Sequence, residues 1–342
     1  MIAAVLKPVS VAALAAALTG CLFSDTVETF GGPTMGSTYS VKYVRGSGMP
    51  GVEQVQPEVE RILADVDRQM STYRSDSDIE RFNEAPGGTC MAMPEPILTL
   101  VRAGDRLSRL SEGSFDLTLE PLLNLWGFGP KARAEKVPSA EELAAVREQF
   151  GYQHLSIQGD QLCKDAPVQV DFNSIAAGYA VDRITERLQS LGLTSYLVEA
   201  TGELKAVGKK PDGSSWRIAI EAPQSGERVA QKILALDGYG VSSSGDYRNY
   251  FEENGRRYSH TLDPQTRAPI SHKLAAVTVV HAETLQADGL STLLMVLGPE
   301  RGYAFAEREG IAAFFVTREG DGFVTRSTPA FDALFAAQGE TP

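Results

Sequence analysis

The chain is poor in the residues that build disulfide scaffolds, zinc sites and nucleic-acid surfaces. Its 342 residues include three cysteines and four histidines, and 44 acidic residues outnumber 32 basic ones, giving a net charge of −12. Three cysteines are too few for a disulfide scaffold. Since phosphate backbones are bound through a basic face, the acidic balance excludes a nucleic-acid partner. Hydrophobic residues make up 43% of the chain, and the sequence therefore predicts a globular protein with a buried core.

Residues 1–20 have the pattern of a secretion signal. Lys7 precedes an apolar run over residues 9–18, which is too short to cross a hydrocarbon core of about 30 Å as a stable helix. The segment ends in the residues LTG directly before Cys21, which resembles the bacterial lipobox. We expect Cys21 to be lipidated, with residues 21–30 as a tether on the outer side of a membrane. The alternative is an ordinary signal peptide with an incidental cysteine.

The sequence does not decide whether the two other cysteines, Cys90 and Cys163, form a disulfide. In an oxidising compartment they either pair or stay free, and a separation of 73 residues does not decide between these states. Neither lies beside a histidine or in a Cys-x-x-Cys pair, which disfavours a catalytic or metal-binding role.

Periodicity indicates an α+β fold. Apolar residues at helical spacing predict helices over residues 59–70, after Pro94, and over residues 176–191, 285–297 and 300–308. Ser139 and Glu142 match a capping box and predict the start of another helix. Short β runs predict strands over residues 39–44, 155–157, 168–170, 196–198, 216–220, 233–236, 247–251, 256–259, 277–280 and 313–316. Without a linker or repeat, we expect one compact domain over residues 31–342, with mixed helices and mainly antiparallel strands.

The sequence lacks the common short catalytic motifs. Its candidate functional residues lie instead in polar turns at the ends of predicted helices and strands. The sequence has no P-loop, no Cys/His zinc spacing and no Gly-x-Ser-x-Gly elbow. Asp288 and Thr292 are four apart on a predicted helix, so their oxygens share one face and suit Mg²⁺. Asp171 and Ser174 stand between a predicted strand and a helix entry. The competing interpretations are a solvated face for the first pair and helix capping for the second.

His260 is the histidine with polar neighbours. It lies between Ser259 and Thr261 and three residues before Asp263. A histidine beside an aspartate can act as a general base near neutral pH. The competing interpretation is a structural histidine with satisfied hydrogen bonds.

Polar and small-residue turns recur along the chain at residues 34–39 (TMGSTY), 70–73 (MSTY), 79–83 (IERFN), 114–116 (SFD), 170–182, 244–248 (SGDYR), 260–264 (HTLDP) and 287–292 (ADGLST). In order and spacing, these turns resemble the FAD:protein FMN transferase family, also called ApbE-type flavin transferases. The resemblance runs from about residue 34 to residue 326. It implies an ApbE or T-fold-like α+β architecture.

The resemblance also implies a reaction and a site. Members of the family cleave FAD with Mg²⁺ and attach FMN through a phosphoester to a Thr or Ser hydroxyl of a target protein, releasing AMP. Carried over by position, the FAD contacts are Met35, Tyr73, Ser114, Phe115, Asp116, Asp171, Ala177 and Leu262. The metal ligands are Ser174, Asp288, Thr292 and, as a weaker member, Ser291, while His260 is the base that acts with Asp288 at the catalytic centre.

Three positions depart from the family pattern. Ser291 replaces an aspartate found in many relatives, so the ligand set is weaker or completed by water. Ala177 stands where Lys or Glu is frequent, which removes a side-chain contact. Arg267 stands where relatives usually carry glycine, whose role is to allow positive φ in the loop near His260.

By resemblance, the acceptors are flavin-bearing subunits of sodium-translocating NADH:quinone oxidoreductase (Nqr) and Rnf-type electron-transport complexes. The same resemblance favours the periplasmic side of the inner membrane. Two alternatives stay open, because an acceptor hydroxyl lies on another protein. One is a Mg²⁺-dependent FAD pyrophosphatase, and the other is a flavin-binding lipoprotein without catalysis.

Overall fold

A computed structural model describes residues 25–132, 136–223, 229–247 and 249–336. The helices are α1 (Val52–Met70), α2 (Asp78–Glu84), α3 (Glu95–Leu110), α4 (Glu120–Trp126), α5 (Ala140–Ala145), α6 (Ala176–Ser190), α7 (Thr284–Arg308) and α8 (Pro329–Phe335). None of the helices within these residues combines the length and apolar character needed to cross a membrane.

The strands are β1 (Thr26–Thr34), β2 (Ser37–Arg45), β3 (Thr89–Ala92), β4 (Leu155–Gln158), β5 (Gln161–Lys164), β6 (Tyr196–Ala200), β7 (Glu203–Val207), β8 (Trp216–Glu221), β9 (Ala230–Leu236), β10 (Tyr239–Gly245), β11 (Tyr250–Glu253), β12 (Arg256–Ser259), β13 (Leu262–Asp263), β14 (Ala268–Pro269), β15 (Leu274–His281), β16 (Ala312–Glu319) and β17 (Gly322–Ser327). Every described pair of these strands is antiparallel, which confirms the predicted α+β class.

An eight-stranded sheet organises the chain. Its order is β1-β2-β6-β7-β10-β15-β16-β17. Helices α6 and α7 pack against each other and against strands β7 and β10, so one face of the sheet lies under helices. Strand β15 is buried at every position but its last, as expected for a strand covered on both faces. Its other face packs in a second cluster that includes Trp216, Phe314 and Phe331.

The open question of the cysteines is settled by the small sheet β3-β5-β4. Cys90 on β3 and Cys163 on β5 are direct cross-strand partners and form a disulfide. The disulfide therefore links two positions that are 73 residues apart in the sequence.

Most predicted elements are present, and the differences have local causes. The predicted tether extends too far, because Thr26–Thr34 pairs with β2 and buries Phe30; residues 21–24 lie outside the described residues. The predicted strand over 247–251 begins later, at Tyr250. The helices predicted over 285–297 and 300–308 are the two halves of α7, which bends at Gly298 with φ of 81°.

The strand predicted over residues 168–170 is wrong. Only an isolated bridge joins Gln169 to Leu119, although Val168 and Val170 are fully buried. Both backbone groups of Val170 bond instead to the side-chain amide of Asn83. A side chain distant in sequence thus takes the place of a neighbouring strand.

Candidate active site

Eleven of the predicted site residues line one cavity of about 960 Å³ between the helical face of the sheet and the loops above it. They are Met35, Tyr73, Ser114, Phe115, Asp116, Asp171, Ser174, His260, Leu262, Asp288 and Thr292. Segments far apart in sequence therefore meet at one place. Ala177 and Ser291 are the two predicted residues that do not line this cavity.

A tight turn brings Met35 to the cavity. Met35 and Gly36 join β1 to β2 with φ of 43° and 73°, and Thr34 pairs with Ser37 across them. Positive φ at both central residues is typical of the type I′ hairpin turn. Because methionine rarely adopts this conformation, the turn stores strain at a residue that faces the cavity.

Asp116 shapes one wall through its hydrogen bonds. Its Oδ1 accepts from the backbone N and the hydroxyl of Thr118 at 2.8 and 2.7 Å, and its Oδ2 accepts from the backbone N of Tyr152 at 2.9 Å. Burial raises the pKa of Asp116, and these hydrogen bonds lower it. The carboxyl thus ties two loops together at the cavity wall.

Asp171 forms the turn that leads into α6. Its carboxylate accepts from the backbone N of Asn173 at 2.6 Å and from Asn173 Nδ2 at 3.0 Å. Burial raises the pKa of Asp171 to about 6. The helix-capping interpretation of Asp171 and Ser174 is wrong, because α6 is capped by Ile175 without a side-chain hydrogen bond.

Asp288 is held where α6 and α7 meet most closely. The backbone N of Gly178 donates to Asp288 Oδ2 at 2.9 Å. A Cβ at Gly178 would lie 2.4 Å from the carbonyl oxygen of Thr284, so this approach requires glycine. Asp182 of α6 caps α7 by accepting from the backbone N of Thr284 and of Leu285 at 3.0 and 2.9 Å. With Asp288 only 5% exposed, the interpretation as a solvated face is wrong.

Glu203 is a cavity residue that the sequence analysis missed. It opens β7, and its carboxylate accepts from Thr201 Oγ1 at 3.0 Å and from Ser242 Oγ at 3.4 Å. Burial raises the pKa of Glu203 to about 7. Burial and the charge of Glu203 raise the pKa of Asp288 well above its usual value. Two carboxyl groups therefore compete for ionisation at one end of the cavity.

The donors at this end suit a hard divalent cation. Carboxylate and hydroxyl oxygens of Asp288, Thr292 and Glu203 line the cavity, and its described lining contains no Lys or Arg to neutralise them. A divalent ion would offset the negative charge of these two buried carboxylates. Within the described residues, no three His, Cys, Asp or Glu side chains are grouped as a metal cluster. The predicted metal-ligand set differs from such a cluster, because it contains one carboxylate, that of Asp288, and several hydroxyl groups.

Ser291 and Ala177 differ from prediction. The Ser291 hydroxyl is fully buried, lies 3.0 and 2.9 Å from the hydroxyls of Ser242 and Ser244, and donates to the carbonyl oxygen of Asp288 at 3.0 Å. It therefore joins α7 to β10, and its role as a metal ligand stays a prediction. Ala177 lies in the first turn of α6, where its neighbour Ala176 faces the cavity.

His260 presents one ring nitrogen for chemistry. Its Nδ1 lies 3.0 Å from the carbonyl oxygen of Asn249; a carbonyl only accepts, so Nδ1 carries the proton and Nε2 keeps its lone pair. Burial lowers the pKa of His260, which favours this neutral form. Among the described residues, Asp263 forms no hydrogen bond to His260, and its carboxylate accepts from the backbone N of Gln265 at 2.8 Å. The ring centroid of Phe128 lies 6.4 Å away.

Other lining residues carried no local signal in the sequence. Phe128, Asn249, Met295 and Val296 reach the cavity through the fold alone. Arg267 has φ of 59°, so the loop adopts the positive φ that the resemblance implied although the residue is not glycine.

Fold and cavity together define an α+β protein with a large cavity lined by acidic and hydroxyl side chains. The ApbE family model matches residues 35–315, and the chain belongs to the ApbE family. This confirms the resemblance seen in the polar turns.

Relatives and solved structures agree with this assignment. The FAD:protein FMN transferase of Vibrio cholerae serotype O1 is 44% identical over 92% of this chain and 94% of its own. That of Haemophilus influenzae is 41% identical over 94% and 95%. The crystal structure of the flavinyl transferase ApbE from Pseudomonas stutzeri in its apo form has a TM-score of 0.87 and 68% identity, covering 92% of this chain and 98% of that one.

Proposed function

We propose that the chain is a Mg²⁺-dependent FAD:protein FMN transferase. It cleaves the pyrophosphate of FAD, attaches FMN through a phosphoester to a Thr or Ser hydroxyl of a target protein, and releases AMP. The observation that carries the proposal is the meeting of His260, Asp288 and Thr292 with the predicted flavin contacts in one cavity. The names of the relatives support the same activity.

Different residues of the chain accept the proton and hold the metal ion. His260 Nε2 accepts the proton of the incoming hydroxyl, whose oxygen forms a bond to the FMN phosphorus while the anhydride bond breaks and AMP leaves. Positioning and charge neutralisation dominate phosphoryl transfer, and a base adds about 10²–10⁴-fold. Asp288, Thr292 and Ser174 would hold Mg²⁺, with Glu203 beside them. When bound, Mg²⁺ neutralises the pyrophosphate oxygens in a cavity whose described lining offers no cationic side chain.

The flavin contacts follow the cavity walls. Met35 and Tyr73 line the cavity, and Tyr73 is 67% exposed. The same lining includes Ser114, Phe115, Asp116, Asp171 and Leu262. Ala177 would contribute through its backbone in the first turn of α6.

We further propose that Cys21 carries a lipid anchor on the periplasmic side of the inner membrane. Cys21 lies outside the described residues, and its lipobox context supports the anchor. In that place the enzyme would reach flavin-accepting subunits of Nqr- and Rnf-type complexes.

Incubation with the membrane fraction of the host, FAD and Mg²⁺ tests the transferase directly. A fluorescent flavin band that survives denaturing electrophoresis is the expected result, and its identity names the acceptor. FMN and AMP released only as free products would establish the pyrophosphatase instead. FAD bound without turnover would establish the carrier.

A further inference from the structure

A buried ionic cluster lies behind the cavity wall. Glu80 and Glu120 are 2% and 0% exposed. The ammonium group of Lys131 contacts Glu80 Oε1 and lies 3.8 Å from Glu120 Oε1, while the Lys131 side chain is 46% exposed. A surface lysine thus supplies positive charge to two acids buried beneath it.

The two acids depend on that charge. Burial and the charge of Glu80 raise the pKa of Glu120 to about 7, whereas Lys131 lowers it. Glu80 Oε2 has no hydrogen-bond partner among the described residues. The other nearby cation, Lys164, donates to the carbonyl oxygens of Asn83 and Val168 at 3.1 and 3.0 Å. Removing Lys131 therefore leaves two buried carboxyls without a direct cationic partner.

Asn83 connects this cluster to the cavity. Its Nδ2 donates to Glu120 Oε2 and to the carbonyl oxygen of Val170, each at 2.9 Å, and its Oδ1 accepts from the backbone N of Val170 at 2.7 Å. The N–H and C=O of Val170 fix which end of the amide carries the donor, and Glu120 accepts the second Nδ2 hydrogen and so holds the amide against Val170. Since Asp171 of the cavity follows Val170 directly, the Asn83 side chain helps to set the place of its carboxylate.

Lys131 also lies in the segment that follows α4. Its backbone N donates to Asn124 Oδ1 at 2.8 Å, and Asn124 Nδ2 lies 3.4 Å from Glu120 Oε1. Phe128 of the same segment lines the cavity. The ionic contact of Lys131 thus links this segment to the backbone beside Asp171, and both carry residues of the cavity lining.

We propose that Lys131 is a positioning residue for flavin binding, because its ammonium group, held by Glu80 and Glu120, keeps Asn83 clamped on the backbone beside Asp171. The inference rests on the proposed function in taking Asp171 as a flavin contact. Without the ammonium, the two buried carboxyls lose the cation that holds them side by side, so Glu120 is no longer fixed where its Oε2 accepts from Asn83 Nδ2.

Three variants test this role. Lys131→Met removes the charge, Lys131→Arg keeps it, and Lys136→Met removes a similarly exposed lysine whose partner is Glu142. FAD affinity is measured by quenching of flavin fluorescence with Mg²⁺ present and no acceptor, alongside the thermal midpoint of the apo form. We expect Lys131→Met to weaken FAD binding about tenfold, as for the loss of one hydrogen bond to a charged group. Lys131→Arg restores the affinity, and Lys136→Met leaves it unchanged.

Several results would overturn the proposal. They are FAD affinity in Lys131→Met within about twofold of wild type, an equal loss in Lys136→Met, and no recovery in Lys131→Arg. Because binding is read without acceptor, a failure of the transferase assay would refute the proposed function and leave this result standing. Conversely, unchanged binding by Lys131→Met in an active transferase would refute the positioning role alone.

Discussion

The backbone N of Gly178 donates a hydrogen bond to Oδ2 of Asp288 over 2.9 Å, which joins the first turn of α6 to the carboxylate on α7. One helix therefore orients the acid that the other carries. Asp182, one turn further along α6, caps the same helix α7. The position of the Asp288 carboxylate therefore depends on how α6 and α7 pack against each other.

Gly178→Ala should separate these helices. The new Cβ would lie 2.4 Å from the carbonyl oxygen of Thr284 and 2.8 Å from Asp288 Cβ. We expect a loss of about 1–3 kcal/mol in the free energy of unfolding, as for other overpacked sites, together with a marked loss of turnover. Urea unfolding and FMN transfer measure the two effects.

Gly192→Ala is the matched control at the other end of α6. Gly192 has φ of 81° and open space around its Cβ position, so alanine there brings backbone strain without touching Asp288. This variant should lose stability and keep turnover per folded molecule. Equal activity losses in both variants would contradict the role assigned to the helix contact.

His260→Ala should abolish transfer while FAD binding is retained. The imidazole Nε2 has no hydrogen-bond partner among the described residues, and the loss of a general base typically costs about 10²–10⁴-fold in rate. Single-turnover transfer and equilibrium FAD binding give the two quantities. Loss of FAD affinity with unchanged transfer of bound flavin would contradict the base assignment.

The pH dependence of transfer follows from the lowered pKa of His260. The neutral base is populated above its pKa, so the rate falls as pH drops through that value. Since burial moves the pKa below its ordinary value of about 6.5, the acidic limb of kcat/KM should lie below that pH. If the acidic limb of kcat/KM lay above this ordinary value, the lowered pKa of the buried His260 would not determine the pH dependence.

The use of Mg²⁺ should depend on the carboxylates at the acidic end of the cavity. Asp288→Asn removes one carboxylate beside Glu203, so we expect a higher Mg²⁺ requirement or no turnover. EDTA should stop the wild-type enzyme, and added Mg²⁺ should restore it. Asp263→Asn is the control, because Asp263 lies outside the cavity lining and an asparagine oxygen can still accept from Gln265. Wild-type turnover that persists in EDTA would remove the metal from the mechanism.

Reduction should weaken the fold without changing the cavity. The disulfide between Cys90 and Cys163 spans 73 residues, and such a crosslink typically contributes about 2–4 kcal/mol. The double variant Cys90→Ser/Cys163→Ser, and wild type in dithiothreitol, should lose this amount in urea unfolding and keep FAD affinity. No change in unfolding with reductant would contradict a stabilising crosslink.

The sequence predicted what depends on local pattern. Helical periodicity located α6 and α7, and the polar turns located His260, Asp171 and Asp288, because backbone that approaches a large ligand needs small and polar residues. These turns lie at element ends, where the fold brings them together.

Long-range partners could not be predicted from the sequence. Val168 and Val170 have the pattern of a strand, yet the partner of Val170 is the Asn83 side chain, 87 residues away. Glu203 opens an ordinary strand, and its role appears only where β7 lies beside α7. Ser291 shares the helix of Asp288, but its hydroxyl is buried against Ser242 of strand β10.

The proposed transfer is tested by mass spectrometry of an acceptor protein after incubation with this enzyme, FAD and Mg²⁺. We expect one FMN in phosphoester linkage on a Thr or Ser of the acceptor, with an equal amount of AMP released, and neither product with His260→Ala. Unmodified acceptor beside stoichiometric free FMN and AMP would contradict it.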